Sequence, residues 1–425
     1  MKAEQSELLV RTGAETPMGA LFRRYWMPIL VSEELPENDC PPVRVKALGE
    51  RLLAFRDSEG RLGLIDEFCA HRGVSLWFGR NEECGLRCPY HGWKYDVSGQ
   101  CVDVPSESQE SGYAKKIKLK AYPLVEGGGI LWTYMGPPEL QPDFPGFEWL
   151  RLPPGQVYVS KRLQECNYLQ AMEGGLDSSH VSWLHSMELD TDPLHRQTKG
   201  AKYQSDKNPK FEIVESEAGL LIGARRQAEP GHFYWRVTQW ILPFYQMIPP
   251  YGDNALNGHA WTPVDDVNCW AWTFTWHPTR PLSAEEMAAM RGGQGVHVEY
   301  APGTFRPRLN RDNDYGMDRA GQKAGRTFSG VYGVAQQDAS VQESMGPIVD
   351  RTRENLCTTD NAIIMARQRL MKAAVSLQQG AAPPALAART HAVRPASFVL
   401  PEGEPFHTAR SEALLAKAGA PHTSI

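Results

Sequence analysis

The chain reads as an α+β protein, with a smaller antiparallel β domain ahead of a larger domain of helices and antiparallel sheet. Three observations predict this. Short alternating runs with Gly and Asp-Ser turns fill residues 43–135, the pattern of half-buried strands. A Pro-rich stretch from Gly136 to Pro145 then interrupts the chain. Beyond it, strand-type alternation at 233–248 and 268–277 is mixed with helical periodicity at 164–185 and 359–378. A length of 425 residues leaves room for two or three domains with substantial cores.

In chain order, residues 1–38 read as a helical lead-in, with Leu8, Leu9, Met18, Leu21, Phe22 and Tyr25 at helical spacing before Pro41-Pro42. Residues 39–145 form the β domain, residues 146–400 the larger domain, and residues 401–425 a C-terminal tail, the Ala/Pro-rich text after Gly380 reading as extended or partly ordered. The run Trp270-Ala-Trp-Thr-Phe-Thr-Trp276 puts its large aromatics on one strand face, suited to core or to a pocket wall. Residues 280–345 are rich in Gly, Arg and Asp and read as irregular. In 359–378, Ile363, Leu370, Ala374 and Leu377 make an apolar stripe, and Thr358 or Thr359 suits the cap.

Composition excludes several classes. Net charge is −5 and no Lys/Arg block stands out, so nucleic-acid binding has no electrostatic support. No run approaches the roughly 18 apolar residues of a membrane span. The N-terminal Met1-Lys2-Ala3-Glu4-Gln5-Ser6-Glu7 lacks a signal-peptide core. The eight cysteines are widely spread, which argues against a disulfide framework and for a cytoplasmic protein.

Two segments carry chemistry. Cys69-Ala70-His71 is followed, after 16 residues, by Cys88-Pro89-Tyr90-His91. Each turn offers one thiolate and one imidazole, which suits two unlike irons, one held by two Cys and the other by two His. The rival is a Cys₂His₂ zinc site, but zinc ligands usually pair as C-x₂₋₄-C and H-x₃₋₅-H, and here each half is Cys then His. Gly73, Gly92 and Gly99 suit close backbone approach around such a group. The second segment runs from Asn167 to His185 and spaces Asp177, His180 and His185 as D-x₂-H-x₄-H. His180 and His185 would stand about 140° apart on an ideal helix, so the helix must widen or bend. Gly174-Gly175 and Ser178-Ser179 permit that. Two imidazoles and a carboxylate make the facial triad of non-haem Fe(II) oxygenases, with positions left open. The acids open as third ligand include Asp360, Glu343, Asp350 and Glu354.

The first segment resembles Rieske iron–sulfur proteins. Cys69-Ala-His-Arg-Gly, Gly85-Leu-Arg-Cys-Pro-Tyr-His-Gly-Trp-Lys-Tyr-Asp, the 167–185 segment and Gln342-Glu-Ser-Met-Gly-Pro-Ile-Val-Asp-Arg-Thr-Arg-Glu354 together resemble the large (alpha) subunit of Rieske non-haem iron ring-hydroxylating oxygenases, closest to the phthalate dioxygenase-like branch. The resemblance spans roughly residues 5–380. It implies a [2Fe–2S] cluster on Cys69, His71, Cys88 and His91, and a mononuclear Fe(II) on His180, His185 and a distal acid heading a late helix, the place Asp360 occupies. It implies that Asp177 is no ligand but bridges His91 of one subunit to His180 of the next.

The resemblance also implies a reaction of O₂, two electrons and two protons with an aromatic substrate, giving a cis-dihydrodiol, a hydroxylated ring, or a demethylated ring and formaldehyde. The electrons would come from a separate reductase, with or without a ferredoxin, and the subunits would form a trimer or stacked trimers. The chain has no Gly-rich dinucleotide fingerprint of its own. An aromatic carboxylate substrate would call for a guanidinium, and Arg225, Arg226 and Arg236 lie on or beside predicted strands. An O-demethylase of methoxylated aromatic acids is the alternative within the class. A Rieske electron-transfer protein without oxygenase chemistry is the alternative outside it, and the D-x₂-H-x₄-H segment and large second domain speak against that.

Overall fold

A computed structural model describes residues 1–187 and 198–425. The chain divides into two compact units, Phe22–Pro142, and Met1–Leu21 with Asp143–Ile425. The second junction falls inside the Pro-rich stretch. The first does not fall where the lead-in was expected to end, because residues 1–21 belong to the larger unit. Leu9 and Val10 of helix α1 (Ala3–Val10) are fully buried. Tyr168 and Asn167 donate to their carbonyl oxygens at 2.8 and 3.0 Å. Helix α2 (Pro17–Phe22) follows.

The smaller unit is built from eleven short strands in three antiparallel sheets. Strand β1 (Trp26–Val31) pairs with β11 (Ile130–Tyr134), which pairs with β10 (Leu124–Gly127). Strands β2 (Val43–Ala47), β3 (Glu50–Arg56), β4 (Leu62–Asp66) and β9 (Ala121–Tyr122) form the second sheet in that order. Strands β5 (Arg80–Glu82), β6 (Gly85–Arg87), β7 (Lys94–Tyr95) and β8 (Cys101–Asp103) form the third. Leu53, Phe55, Ile65, Leu76, Leu86 and Tyr95 share a core with Cys69 and Cys88, so the two thiols stand on a packed floor.

The larger unit is organised by an eight-stranded antiparallel sheet. Its path runs β12 (Val157–Gln164), β18 (Cys269–Trp276), β17 (Leu256–Pro263), β16 (Tyr245–Ile248), β15 (His232–Ile241), β14 (Gly219–Gln227) and β13 (Lys210–Glu215), with β19 (Ala396–Pro401) added on β15. Trp272, Phe274 and Trp276 of β18 are fully buried, with Trp149 against the last two, so the aromatic strand is core.

Helix α3 (Tyr168–Leu176) is capped by the Asn167 side chain, which accepts Leu169 N–H at 3.1 Å. Helices α4 (Lys199–Tyr203), α5 (Ala284–Arg291), α6 (Arg319–Lys323), α7 (Val334–Ser344), α8 (Asn361–Gln378) and α9 (Phe406–Ala409) follow. Residues 280–345 are not simply irregular, since α5, α6 and α7 lie in them. Of the two readings of the tail, the ordered one holds: Phe406 and Leu414 are buried beside Trp235 and Phe398, and Ser397 N–H donates to Thr423 O at 3.0 Å. Apolar side chains in the Ala/Pro-rich text supply that packing. No helix among the described residues is long and apolar enough to cross a membrane.

Candidate functional site

The Cys-His turns of the smaller unit are built alike. In the first, Cys69 N–H donates to Val74 O at 2.9 Å and Gly73 N–H to Cys69 O at 2.9 Å. In the second, Cys88 N–H donates to Trp93 O at 2.8 Å and Gly92 N–H to Cys88 O at 3.0 Å. Gly73 and Gly92 close them at φ of +72° and +77°, a region unfavourable to residues with a Cβ. Both thiols are buried, both imidazoles are exposed, and the His71 and His91 rings lie 4.4 Å apart. The Trp93 indole stacks on His71 at 4.6 Å. Ala70 N–H donates to Tyr95 Oη at 3.2 Å, which leaves the phenol O–H for Cys69 Sγ, also at 3.2 Å. Burial pushes the Cys88 thiol up, while the backbone N–H groups of Tyr90 and His91 favour its thiolate. Paired buried sulfurs and paired surface imidazoles fit the mixed ligand set of a Rieske cluster.

In the larger unit the helical mismatch between His180 and His185 is resolved by ending the helix. Asp177 is extended at φ −85° and ψ 115°, α3 stops, and His180–Ser182 form a separate 3₁₀ turn. The turn is pinned from below. Buried Arg226 donates to Ser178 O and Ser182 Oγ, both at 3.1 Å, and to Asp206 O at 3.2 Å.

The third member of the group is Asp338, on α7. Its Oδ1 lies 3.3 Å from His185 Nε2 and 3.6 Å from His180 Nε2. The outer nitrogens are also engaged, His180 Nδ1 with Asp177 Oδ2 at 3.4 Å and His185 Nδ1 with Gln337 Oε1 at 2.6 Å. Burial would raise the Asp338 carboxyl, but the two imidazoles, His185 first, more than offset it and hold it at about 2. Two Nε2 atoms and one carboxylate oxygen converging on a point are the donor set of a 2-His-1-carboxylate iron site.

Asp360 does not join this group. It stands at the N-terminus of α8, where its Oδ2 accepts Cys357 N–H at 2.7 Å. The helix cap is thus Asp360 rather than either threonine, and its carboxylate turns back along the chain. The other candidate acids have different partners. Glu343 accepts from Tyr315 Oη at 2.6 Å, Asp350 from Thr352 N–H at 3.0 Å, and Glu354 from Arg367 at 2.7 and 2.8 Å.

A cavity opens beside His180, His185 and Asp338. Arg162, Arg236, Tyr251, His259, Trp261 and Val296 are among its walls. Of the three expected arginines, only Arg236 lines it. Arg226 holds the His180 turn instead, and Arg225 lies over the Phe233 ring at 4.4 Å. Arg236 is 5% exposed and sits over the Tyr251 ring at 4.4 Å, and its Nη1 has no hydrogen-bond partner among the described residues. Sequence reasoning missed Arg162, whose Nε is likewise unpartnered, and His259, whose Nδ1 donates to Trp272 O at 3.2 Å. Burial, then Arg162, lowers the His259 imidazole to about 4, so it is neutral near pH 7. A second cavity also borders Asp177, His180 and Asp338, and its rim carries the exposed Met345 and Leu356.

The Rieske [2Fe-2S] domain family matches residues 25–123, and the family described as LigXa C-terminal domain like matches residues 133–399. The chain is 38% identical to the 3-chlorobenzoate-3,4-dioxygenase oxygenase subunit of Comamonas testosteroni, over 87% of this chain and 88% of that one. It is 36% identical to the phthalate 4,5-dioxygenase oxygenase subunit of Pseudomonas putida, over 89% and 87%. It is 30% identical to the 5,5'-dehydrodivanillate O-demethylase oxygenase subunit of a Sphingobium species, over 91% and 83%. The expected resemblance is thereby established, and the electron-transfer alternative is set aside. With a cluster domain, a catalytic domain and these relatives, the chain belongs to the oxygenase subunits of the Rieske non-haem iron oxygenases, enzymes that carry a Rieske [2Fe–2S] cluster and a mononuclear iron.

Proposed function

We propose that the chain is the terminal oxygenase of an aromatic-acid oxidising system, with Cys69, His71, Cys88 and His91 holding the cluster and His180, His185 and Asp338 holding the mononuclear iron. When bound, that iron supplies O₂ activation. The observation that carries the substrate class is Arg236: a buried guanidinium with an unpartnered nitrogen, on the wall of the cavity that contains the triad. A guanidinium binds a carboxylate through parallel charge-assisted hydrogen bonds, and the apolar walls Val296 and Trp261 suit an aromatic ring. Hydroxylation of the ring is the main reading. O-demethylation is the second, and it is favoured by the identity to the dehydrodivanillate enzyme.

Electrons come from a separate reductase, with or without a ferredoxin. In a trimer or stacked trimers, exposed His91 of one subunit meets Asp177 of the next, whose carboxylate already faces His180 Nδ1. The second cavity, bordered by Asp177 and His180, is the seat for that contact.

The test is product analysis with a compatible reductase, NADH and O₂, on benzoate, phthalate and methoxybenzoate. Hydroxylated or dihydrodiol products support the main reading. Stoichiometric formaldehyde from the methoxylated acid supports the second. Turnover of neutral arenes with no preference for the acids would overturn the carboxylate assignment.

A further inference from the structure

We propose that Gln337 is a positioning residue for the mononuclear centre, setting which nitrogen of His185 carries the proton. The proposal rests on reading His180, His185 and Asp338 as the iron ligands. Gln337 is fully buried on α7, directly before Asp338. Its Nε2 donates to Val331 O at 2.9 Å and reaches Thr327 Oγ1 at 3.5 Å. A backbone carbonyl only accepts, so the end of the amide at Val331 must be the nitrogen. The oxygen is then the end turned to His185, and Oε1 lies 2.6 Å from Nδ1. An amide oxygen also only accepts, so Nδ1 carries the hydrogen and Nε2 keeps its lone pair free toward the metal position.

The alternative tautomer matters because Asp338 Oδ1 lies 3.3 Å from His185 Nε2. Without an acceptor at Nδ1, the proton can sit on Nε2, donate to Asp338 and occupy the lone pair that a metal needs. His185, Gln337 and Thr327 are all 3% exposed or less, so bulk water does not replace the lost acceptor. The chain of command runs from the 327–331 loop through the Gln337 amide to the imidazole. Thr327 Oγ1 donates to the same Val331 carbonyl at 2.9 Å, which holds that loop closed. One turn of α7 thereby supplies one ligand and the group that orients another.

The experiment uses the full-length protein with its Rieske cluster intact and the mononuclear iron replaced by Co(II). Co(II) affinity is measured by titration. The ligand protons are followed as far-shifted, solvent-exchangeable resonances. Gln337→Leu, similar in size but without an acceptor, is expected to weaken Co(II) binding about 10–100-fold while leaving the Rieske absorption unchanged. It should also lose the slowly exchanging Nδ1–H resonance of His185. Gln337→Glu keeps an acceptor oxygen for that hydrogen (its other oxygen, facing Val331 O, carries the acid proton) and is expected to restore most of the affinity while shifting the resonance. Wild-type affinity in Gln337→Leu would overturn the proposal. Should that variant not fold, an unmoved resonance in Gln337→Glu would overturn it instead. Failure of the wild-type protein to bind Co(II) at His180, His185 and Asp338 would overturn the metal-site reading itself, a separate result.

Discussion

His185 Nε2 and Asp338 Oδ1 lie 3.3 Å apart although they come from distant parts of the chain, one from the turns after α3 and the other from α7. Asp338→Ala should therefore abolish turnover and cut mononuclear iron affinity by more than about 100-fold, beyond the loss typical of an outer partner. The Rieske spectrum should be unchanged. Asp360→Ala should retain both metals and cost about 0.5–1.5 kcal/mol of stability, the scale of the one hydrogen bond its carboxylate accepts from Cys357 N–H. Iron analysis of the two variants side by side checks the assignment, and iron lost only from Asp360→Ala would reverse it.

Asp177→Asn should keep both metal centres, since neither loses a ligand, yet turn over far more slowly. The amide offers one acceptor oxygen where the carboxylate offers two and a charge. Rapid-mixing experiments should find the Rieske centre reduced normally but slow to reoxidise with substrate and O₂. Reoxidation at the wild-type rate would confine Asp177 to shaping its own turn.

Arg236→Leu should raise KM for an aromatic acid by about 10–150-fold, the equivalent of about 1.5–3 kcal/mol for a hydrogen bond to a charged group. The corresponding aromatic amide should be nearly indifferent to the change. Equal losses for acid and amide would mean that the side chain shapes the cavity rather than binding charge.

Cys88→Ala should bleach the red-brown protein, which otherwise carries about three irons and two sulfides per chain. Tyr95→Phe should keep the colour but lower the cluster's reduction potential, because the phenol O–H at Cys69 Sγ favours the more negative, reduced state. Protein-film voltammetry measures this directly, and an unchanged potential would remove Tyr95 from the tuning of the cluster.

Acid should destabilise the larger unit before most carboxylates titrate. Burial lowers the imidazole of His391 from 6.5 to about 4, and burial with Arg162 does the same for His259. Depressed native values mean that the unfolded chain binds more protons between pH 6.5 and 4, so stability is lost as pH falls through that window. Each group contributes a slope of up to about 1.4 kcal/mol per pH unit. Denaturant melts of the wild type and His391→Gln at pH 7 and pH 5 test the sign, and equal pH sensitivity would exclude His391.

What the sequence showed plainly was local. Cys69, His71, Cys88 and His91 lie in two short turns of matching construction, so their spacing alone expressed the chemistry. His180 and His185 were legible for the same reason, but the helix expected to widen or bend through residues 164–185 instead ends at Leu176, with Asp177 extended and His180–Ser182 in a turn of their own. Asp338 was hidden because α7 has no apolar stripe. It buries Gln336, Gln337, Gln342 and Glu343 beside small alanines, the last three held by hydrogen bonds that periodicity does not register. Val334, Ala335, Asp338 and Gln342 do share one helical face on the cavity, but that spacing has meaning only once the segment is known to be a helix. Asp360 attracted the assignment because an acid in a first turn has its own electrostatic logic. Arg226 and Arg236 could not be told apart by text, since both are buried cations on one face of neighbouring strands, and only the fold shows that Arg226 is taken up by Ser178, Ser182 and Asp206 while Arg236 lines the cavity.

Asp177 and Gln337 engage the outer nitrogens of the two imidazoles, so protein groups rather than an ion fix how both rings are turned. Rings held in this way have few rotamers left to lose when both Nε2 atoms turn to one ion. Such a centre behaves as a socket. A chelator followed by another divalent metal is expected to exchange the occupant while the surrounding sheet stays folded, a result that far-UV circular dichroism and metal analysis would check.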